Sequence, residues 1–290
     1  MFQDFQHPHG SGALTSKCPT SPIHAGGGKG HNINDYHITG KPRPLGEELQ
    51  RRFSMMLELK NLNVFIKASH ILQNVGIEVG EKEVVCLIGR NGAGKTTTLR
   101  SIMGFLKPES GSIKFMGKEI TKLSPYEIAL LGIGFAPEES EIFVDLTTLE
   151  NIEIATWTRK TSRSAEERIR LAYSVFPSLE RYRARRGTQI SGGERKMLSI
   201  ARALAMDPHM LLLDESFEGL SPAIIPQIAE SIHEISKMGH SILLAESNIY
   251  HVPDFTDRLY VIERGEIIFS GKPAELINNK AVLRIVAGAA

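Results

Sequence analysis

A mixed α/β fold around a buried parallel sheet is predicted by three features of this sequence. Short apolar runs rich in branched side chains occur at "EVVCLIG" (83–89), "MLLLDES" (210–216) and "SILLAES" (241–247). Strands covered on both faces require such runs. Segments with helical character separate them. The first run also feeds straight into a glycine loop, "RNGAGK", that opens onto a helical pattern.

The elements follow in order from Met55. Residues 55–66 alternate as a strand, and "VGIEV" (75–79) follows as another. After the 83–89 strand and its loop, "KTTTLRSIMGFL" (95–106) reads as a helix, closed by the turn "KPESG" before the strand "SIKFM" (112–116). A further helix is predicted at Ser124, with Pro125 in its first turn and Glu127 placed to complete a capping box. Residues 138–205 are mostly helical and rich in Arg and Glu. Between the last two buried strands a helix is expected to start at Ser221–Pro222 and to stop at Gly239. "RLYVIERGEIIFSG" (258–271) reads as a closing hairpin. Residues 1–54 differ: the first fifty hold five of the ten His (His7, His9, His24, His31, His37), a Gly26–Gly28 run and little apolar periodicity. This stretch is expected to be a disordered tail, because it cannot bury enough surface to offset its ordering entropy. The domain proper spans 55–290.

The totals exclude several classes. A net charge near +1 offers no polyelectrolyte basis for a nucleic-acid partner. Only Cys18 and Cys86 are present, which argues against a disulfide framework and for a reduced compartment. No apolar run approaches the roughly 18–20 residues that span a bilayer, and the opening "MFQDFQHPHG" lacks the order of a secretory signal. A cytoplasmic chain is expected. The basic run "RYRARR" (181–186) is expected to be a solvated helix face, and His209, His233, His240 and His251 show no ligand spacing.

Gly89, Gly94, Lys95 and Thr96 satisfy G-x-x-x-x-G-K-[ST]. The pattern stands between a predicted buried strand and a predicted helix, the context in which such a loop cradles phosphate. Its glycines let successive backbone N–H groups of Gly89, Arg90, Asn91, Gly92, Ala93, Gly94, Lys95, Thr96 and Thr97 turn inward, and the helix N-terminus adds partial positive charge. Lys95 is placed to neutralise β- and γ-phosphates, and the Thr96 hydroxyl to ligate Mg²⁺. The chain is expected to bind a nucleoside triphosphate.

"SGGER" (191–195) precedes a helical stretch, and Asp214 of "LLLDE" stands 23 residues after Ser191. Together with "GRNGAGKT", these motifs resemble the ATP-binding cassette family over about residues 55–290. The resemblance implies a P-loop NTPase with a RecA-like parallel-sheet core, an antiparallel β subdomain and an inserted helical signature subdomain at about 138–205. It implies ATP as ligand, Asp214 in the Mg²⁺ shell and Glu215 as general base toward the attacking water. It further implies that Ser191, Gly192, Gly193 and Glu194 face ATP held by the other cassette of a head-to-tail dimer. "PEESEIF" (137–143), "DLTTLEN" (145–151), residues 185–222 and the ending "KPAELINNKAVLRIVAGA" look similar to cassettes of importers for branched-chain amino acids and their urea or amide relatives. Those importers pair two different cassettes beneath two membrane-spanning permease subunits, on the cytoplasmic face of the membrane, and use a separate solute-binding protein.

Three positions depart from the family pattern. Ser247 stands where most members have a His that touches the γ-phosphate, which suggests slow hydrolysis at this chain's own site. The usual adenine-stacking Tyr falls near Ile66. Neighbouring Phe65 could stack on the base only if its strand bulges; a core position is expected for it instead. Glu138 replaces a Gln and could either ligate Mg²⁺ or sit in solvent. Two further function classes stay open: a non-transport cassette ATPase, and a regulatory module that holds ATP without rapid turnover.

Overall fold

The computed structural model describes residues 55–287, so the expected tail (1–54) and residues 288–290 lie outside the described residues. Two sheets form its frame. The first is antiparallel, with strand order β2-β1-β4-β5, built from β1 (Met55–Ile66), β2 (Ser69–Gly80), β4 (Ser110–Phe115) and the short β5 (Lys118–Glu119). The second has the order β10-β9-β3-β8-β7-β6. Its strands are β3 (Val84–Ile88), β6 (Ile133–Ala136), β7 (Met210–Asp214), β8 (Ser241–Glu246), β9 (Arg258–Glu263) and β10 (Glu266–Gly271). Every pairing in it is parallel except the β9–β10 hairpin.

The apolar runs arise because this second sheet is covered on both faces. Successive side chains of a strand point opposite ways. Cys86 and Ile88 of β3, Leu211 and Leu213 of β7, and Ile242 and Leu244 of β8 join one core. Val85, Leu87, Leu212, Leu243 and Ala245 join the other, beneath the antiparallel sheet and α1 (Lys95–Ile102). β3, β7 and β8 are buried at every position.

The helices α3 (Thr148–Thr156), α4 (Ala165–Val175), α5 (Pro177–Glu180) and α6 (Gly192–Ala205) fill the 138–205 stretch, after α2 (Pro125–Leu131). Capping boxes start α2, α3, α4 and α6, at Ser124/Glu127, Thr147/Glu150, Ser164/Glu167 and Ser191/Glu194. Buried Arg168 gathers this group. It donates to the carbonyls of Thr156 at 2.6 Å and Ala205 at 3.5 Å, the last residues of α3 and α6. A cation at two helix C-termini is favoured by both helix dipoles.

Three expectations need correction. The helix after β7, α7 (Ile225–Lys237), begins at Ile225 with Pro226 in its first turn. Residues 221–224 instead make a hydrogen-bonded turn in which Ile224 donates to the Ser221 carbonyl. The run "RYRARR" is exposed, apart from half-buried Tyr182, but it is a turn and not a helix. Its carbonyls at Arg183 and Arg185 accept from Leu149 and Thr148 at the start of α3, which holds the segment open. Phe65 does not enter the core: it is 45% exposed and Ile66 40%. Register shifts between Leu62 and Val64, and again between Val64 and Phe65, turn both outward at the hairpin end. The elements after β10, α8 (Pro273–Asn278) and α9 (Lys280–Ala287), carry the chain to the end of the described residues.

Candidate functional site

The carboxyl ends of β3, β7 and β8 converge on one place, where open parallel sheets bind their ligands. The phosphate-loop residues leave β3 at Gly89 and enter α1 at Lys95. Gly94 takes φ +117°, and a Cβ there would lie 2.7 Å from Leu72 Cδ2, so the turn needs a glycine. At Gly89 a Cβ would meet the Ile262 carbonyl at 2.3 Å. The loop is tied on both sides: Gly89 donates to the Glu246 carbonyl at 3.2 Å, and the Ala93 carbonyl accepts from Gly265 at 2.9 Å. Arg90, Asn91 and Gly92 are exposed, whereas Ala93, Gly94 and Lys95 are buried.

Lys95 is 4% exposed. Its ammonium donates to the carbonyls of Gly89 at 2.8 Å and Arg90 at 3.3 Å, and lies 3.0 Å from Glu215 Oε1. A charge so deeply buried needs such a partner. Glu215 Oε2 accepts from the Ser247 N–H at 3.0 Å. Glu215 itself sits at φ +47°, a left-handed conformation that costs a non-glycine residue roughly 1–3 kcal/mol and marks functional turns.

Thr96 Oγ1 donates to Asp214 Oδ1 at 3.3 Å, while Asp214 Oδ2 is buried without a partner. Burial pushes the Asp214 carboxyl up to about 6, against the Thr96 bond, which lowers it. An orphan carboxylate oxygen beside a hydroxyl suits a hard cation and its water shell. No cluster of three or more His, Cys, Asp or Glu with metal-binding geometry occurs among the described residues, so phosphate oxygens and water would complete any Mg²⁺ shell.

The other expected residues stand apart. Ser191 caps α6: its hydroxyl oxygen accepts from Glu194 N at 3.3 Å, and Glu194 Oε2 accepts from Ser191 N at 2.7 Å. Ser191 and Gly192 are exposed, Gly193 and Glu194 half-buried. Among the described residues, no hydrogen bond or ion pair links these four to residues 89–97. The Glu138 side chain is exposed, while its carbonyl accepts from buried Lys196 at 2.6 Å. Burial lowers the Lys196 ammonium below the usual lysine range. Phe65 stacks face to face on His70, with ring centroids 4.2 Å apart and planes 4° from parallel.

Sequence reasoning passed over Glu246 and Ser216, and read His251 only as lacking ligand spacing. Glu246 is fully buried at the end of β8, and its Oε1 accepts from Ser216 N at 2.8 Å. Burial raises its carboxyl to about 7, although the His251 contact lowers it. The available signal was an acid closing the apolar run "ILLAE", since an unpaired charge is seldom placed in a core.

The ABC transporter family model matches residues 72–218. The chain is 38% identical over 229 residues to the high-affinity branched-chain amino acid transport ATP-binding protein BraG of Pseudomonas aeruginosa, covering 78% of this chain and 97% of that one. It is 34% identical over 235 residues to the lipopolysaccharide export system ATP-binding protein LptB of Haemophilus influenzae, covering 80% and 97%. Among solved structures, a nucleotide-free ATP-binding cassette from an ABC transporter superposes with a TM-score of 0.69 at 28% identity, over 80% of this chain and 98% of that one. A dimeric cassette in a post-hydrolysis state, bound to ADP and Pi, gives 0.68 at 26% identity, over 75% and 99%. With the phosphate loop, the Lys95–Glu215 pair and the cassette fold all in place, this chain belongs to the ATP-binding cassette transporter family and is its ATPase subunit.

Proposed function

We propose that the chain hydrolyses ATP for an importer of branched-chain amino acids or a related small polar solute. In this reading it pairs head to tail with a second, different cassette beneath two membrane-spanning permease subunits that receive cargo from a solute-binding protein. The extent of its similarity to BraG, 38% over 229 residues, carries the choice of solute. A second reading, export of a lipopolysaccharide, rests on the 34% identity to LptB.

The chemistry is argued from this chain's own side chains. Backbone N–H groups from Gly89 to Thr97 would hold the phosphates. Lys95 would exchange the Gly89 and Arg90 carbonyls for phosphate oxygens, which loosens its hold on Glu215 Oε1. Freed from that ion pair, Glu215 would take the proton of the attacking water. Thr96 and Asp214, with Glu138 at the margin, would hold Mg²⁺, which would supply neutralisation of phosphate charge. Ser191, Gly192, Gly193 and Glu194 would serve the partner's ATP: the Ser191 oxygen is occupied as an acceptor, so its proton is free to donate. Ser247 offers a hydroxyl at the usual imidazole position, which gives a slow site. Phe65, turned outward with Ile66, offers an adenine platform of modest strength.

Affinity capture of the C-terminally tagged chain from its native cell, in mild detergent, tests the assignment. Two polytopic membrane proteins together with a second cassette are expected. Recovery of lipopolysaccharide-handling membrane partners would favour the second reading. Soluble partners alone, from a preparation in which other transporters survive, would refute both.

A further inference from the structure

We propose that Glu246 is a positioning residue for Glu215, acting through the backbone of Ser216 and braced by His251. The inference rests on the ATPase reading above.

Two neighbouring pairs exchange bonds. Ser247, next to Glu246, donates its N–H to Glu215 Oε2 at 3.0 Å. Ser216, next to Glu215, donates its N–H to Glu246 Oε1 at 2.8 Å. A third bond, from Glu215 N to the Ala245 carbonyl at 2.8 Å, closes the join between the two strand ends. The chain between Asp214 and Phe217 is thus stitched to the end of β8 at the residue whose φ is +47°. A strained backbone persists only where its surroundings hold it there, and the carboxylate of Glu246, bonded to the next N–H along the chain, is one of the groups that do so. Its own main chain also anchors the phosphate loop, by accepting from Gly89 at 3.2 Å. One residue therefore contacts both loops whose spacing sets the reach of Glu215.

The second oxygen explains His251. Glu246 Oε2 is buried without a hydrogen-bond partner, as is His251 Nδ1, and the two face each other at 3.6 Å. The imidazole is carried by the single turn Ile249–His251 and packs at 5.8 Å against the ring of Phe217, two residues after Glu215. His251 thus borders the same loop. The arrangement contributes no group to the reacting atoms, so its effect should fall on turnover and spare nucleotide affinity. A small displacement of a catalytic group is enough for a large loss of rate.

Steady-state ATPase of the full chain, over a range of ATP concentrations, tests this. Glu246→Leu is expected to lower kcat by about tenfold or more with KM for ATP held within about twofold. Glu246→Gln keeps an acceptor for Ser216 and should return kcat to within about threefold of the unsubstituted chain. His251→Ala, at a half-buried position, should lower kcat by about threefold at constant KM. Full kcat in Glu246→Leu, or equal loss in the Leu and Gln variants, would overturn the positioning role. If the Leu variant does not fold, full kcat in His251→Ala together with strong loss in Glu246→Gln would overturn it. Turnover by the unsubstituted chain that Glu215→Gln leaves unchanged would instead overturn the parent reading, and the inference with it.

Discussion

Replacing Glu246 with glutamine removes a buried ionisable group but keeps an acceptor for Ser216, and the two forms should differ in stability in a pH-dependent way. Glu246 ionises at about 7 in the fold against an ordinary 4.5. Burial is the main cause, and Glu215 adds repulsion, while His251 and the Ser216 N–H oppose it. Lys196 is the buried cation whose field also reaches Glu246. The raised value means that the folded chain binds a proton more tightly than the unfolded chain. The stabilisation is fully present below the unfolded value and is lost as pH rises through the folded one. Between about pH 5 and about pH 8 the loss is about 2–3 kcal/mol, roughly three quarters of the ~3.4 kcal/mol that separates an ordinary carboxyl from one raised to about 7. Glutamine does not titrate. Urea unfolding of both forms at the two pH values, without nucleotide, measures this contribution together with its coupling to His251, whose imidazole Glu246 raises and whose loss with rising pH has the same sign; Asp214 titrates in both. The Gln variant is expected to gain on the natural sequence by about 2–3 kcal/mol from the lower pH to the higher. A constant difference, or a gain in the opposite direction, would refute the argument that the carboxylate is buried at a cost.

Three further outcomes are expected. Glu215→Gln should reduce ATP turnover by about 10²–10⁴-fold while preserving ATP binding. Light scattering with ATP, of this chain mixed with the second cassette captured alongside it, should show a persistent dimer, and unchanged turnover would remove Glu215 from its role. Gly89→Ala places a Cβ 2.3 Å from the Ile262 carbonyl and 2.8 Å from its Cγ2, so a stability loss of about 1–3 kcal/mol and loss of nucleotide binding should appear together in thermal melts with and without ATP. Ser247→His should raise steady-state ATPase by about tenfold, as an added donor at a phosphate site allows; an unchanged rate would show that Ser247 does not limit turnover.

The parallel core was legible because burial on both faces leaves its mark residue by residue: β3, β7 and β8 have no polar face to interrupt the run. The phosphate loop was legible for a related reason, since its glycines and Lys95 answer to local backbone geometry. The capping box at Ser124 and Glu127 also needs only three residues of context. What escaped depends on contacts distant in sequence. The two prolines at 222 and 226 both suit a helix start, and the turn at 221–224 decides between them. Phe65 turns out because β1 slips its register against β2, which no alternation pattern records. The tie between Glu246 and Ser216 spans thirty residues, and the sequence shows only an acid at the end of an apolar run.

Arg168 has a mechanical consequence. By holding the final carbonyls of α3 and α6 with one guanidinium, it ties the C-terminal end of α6 to that of α3. That helix has 14 residues and is about 21 Å long, with Ser191 capping its other end. A tilt of about 5° about that end would carry Ser191 through about 2 Å over that length, the difference between a made and a broken hydrogen bond. Any tilt of α6 would therefore reach Ser191 enlarged by the length of the helix, and the core packing of Met197 to Ala205 is what keeps it small.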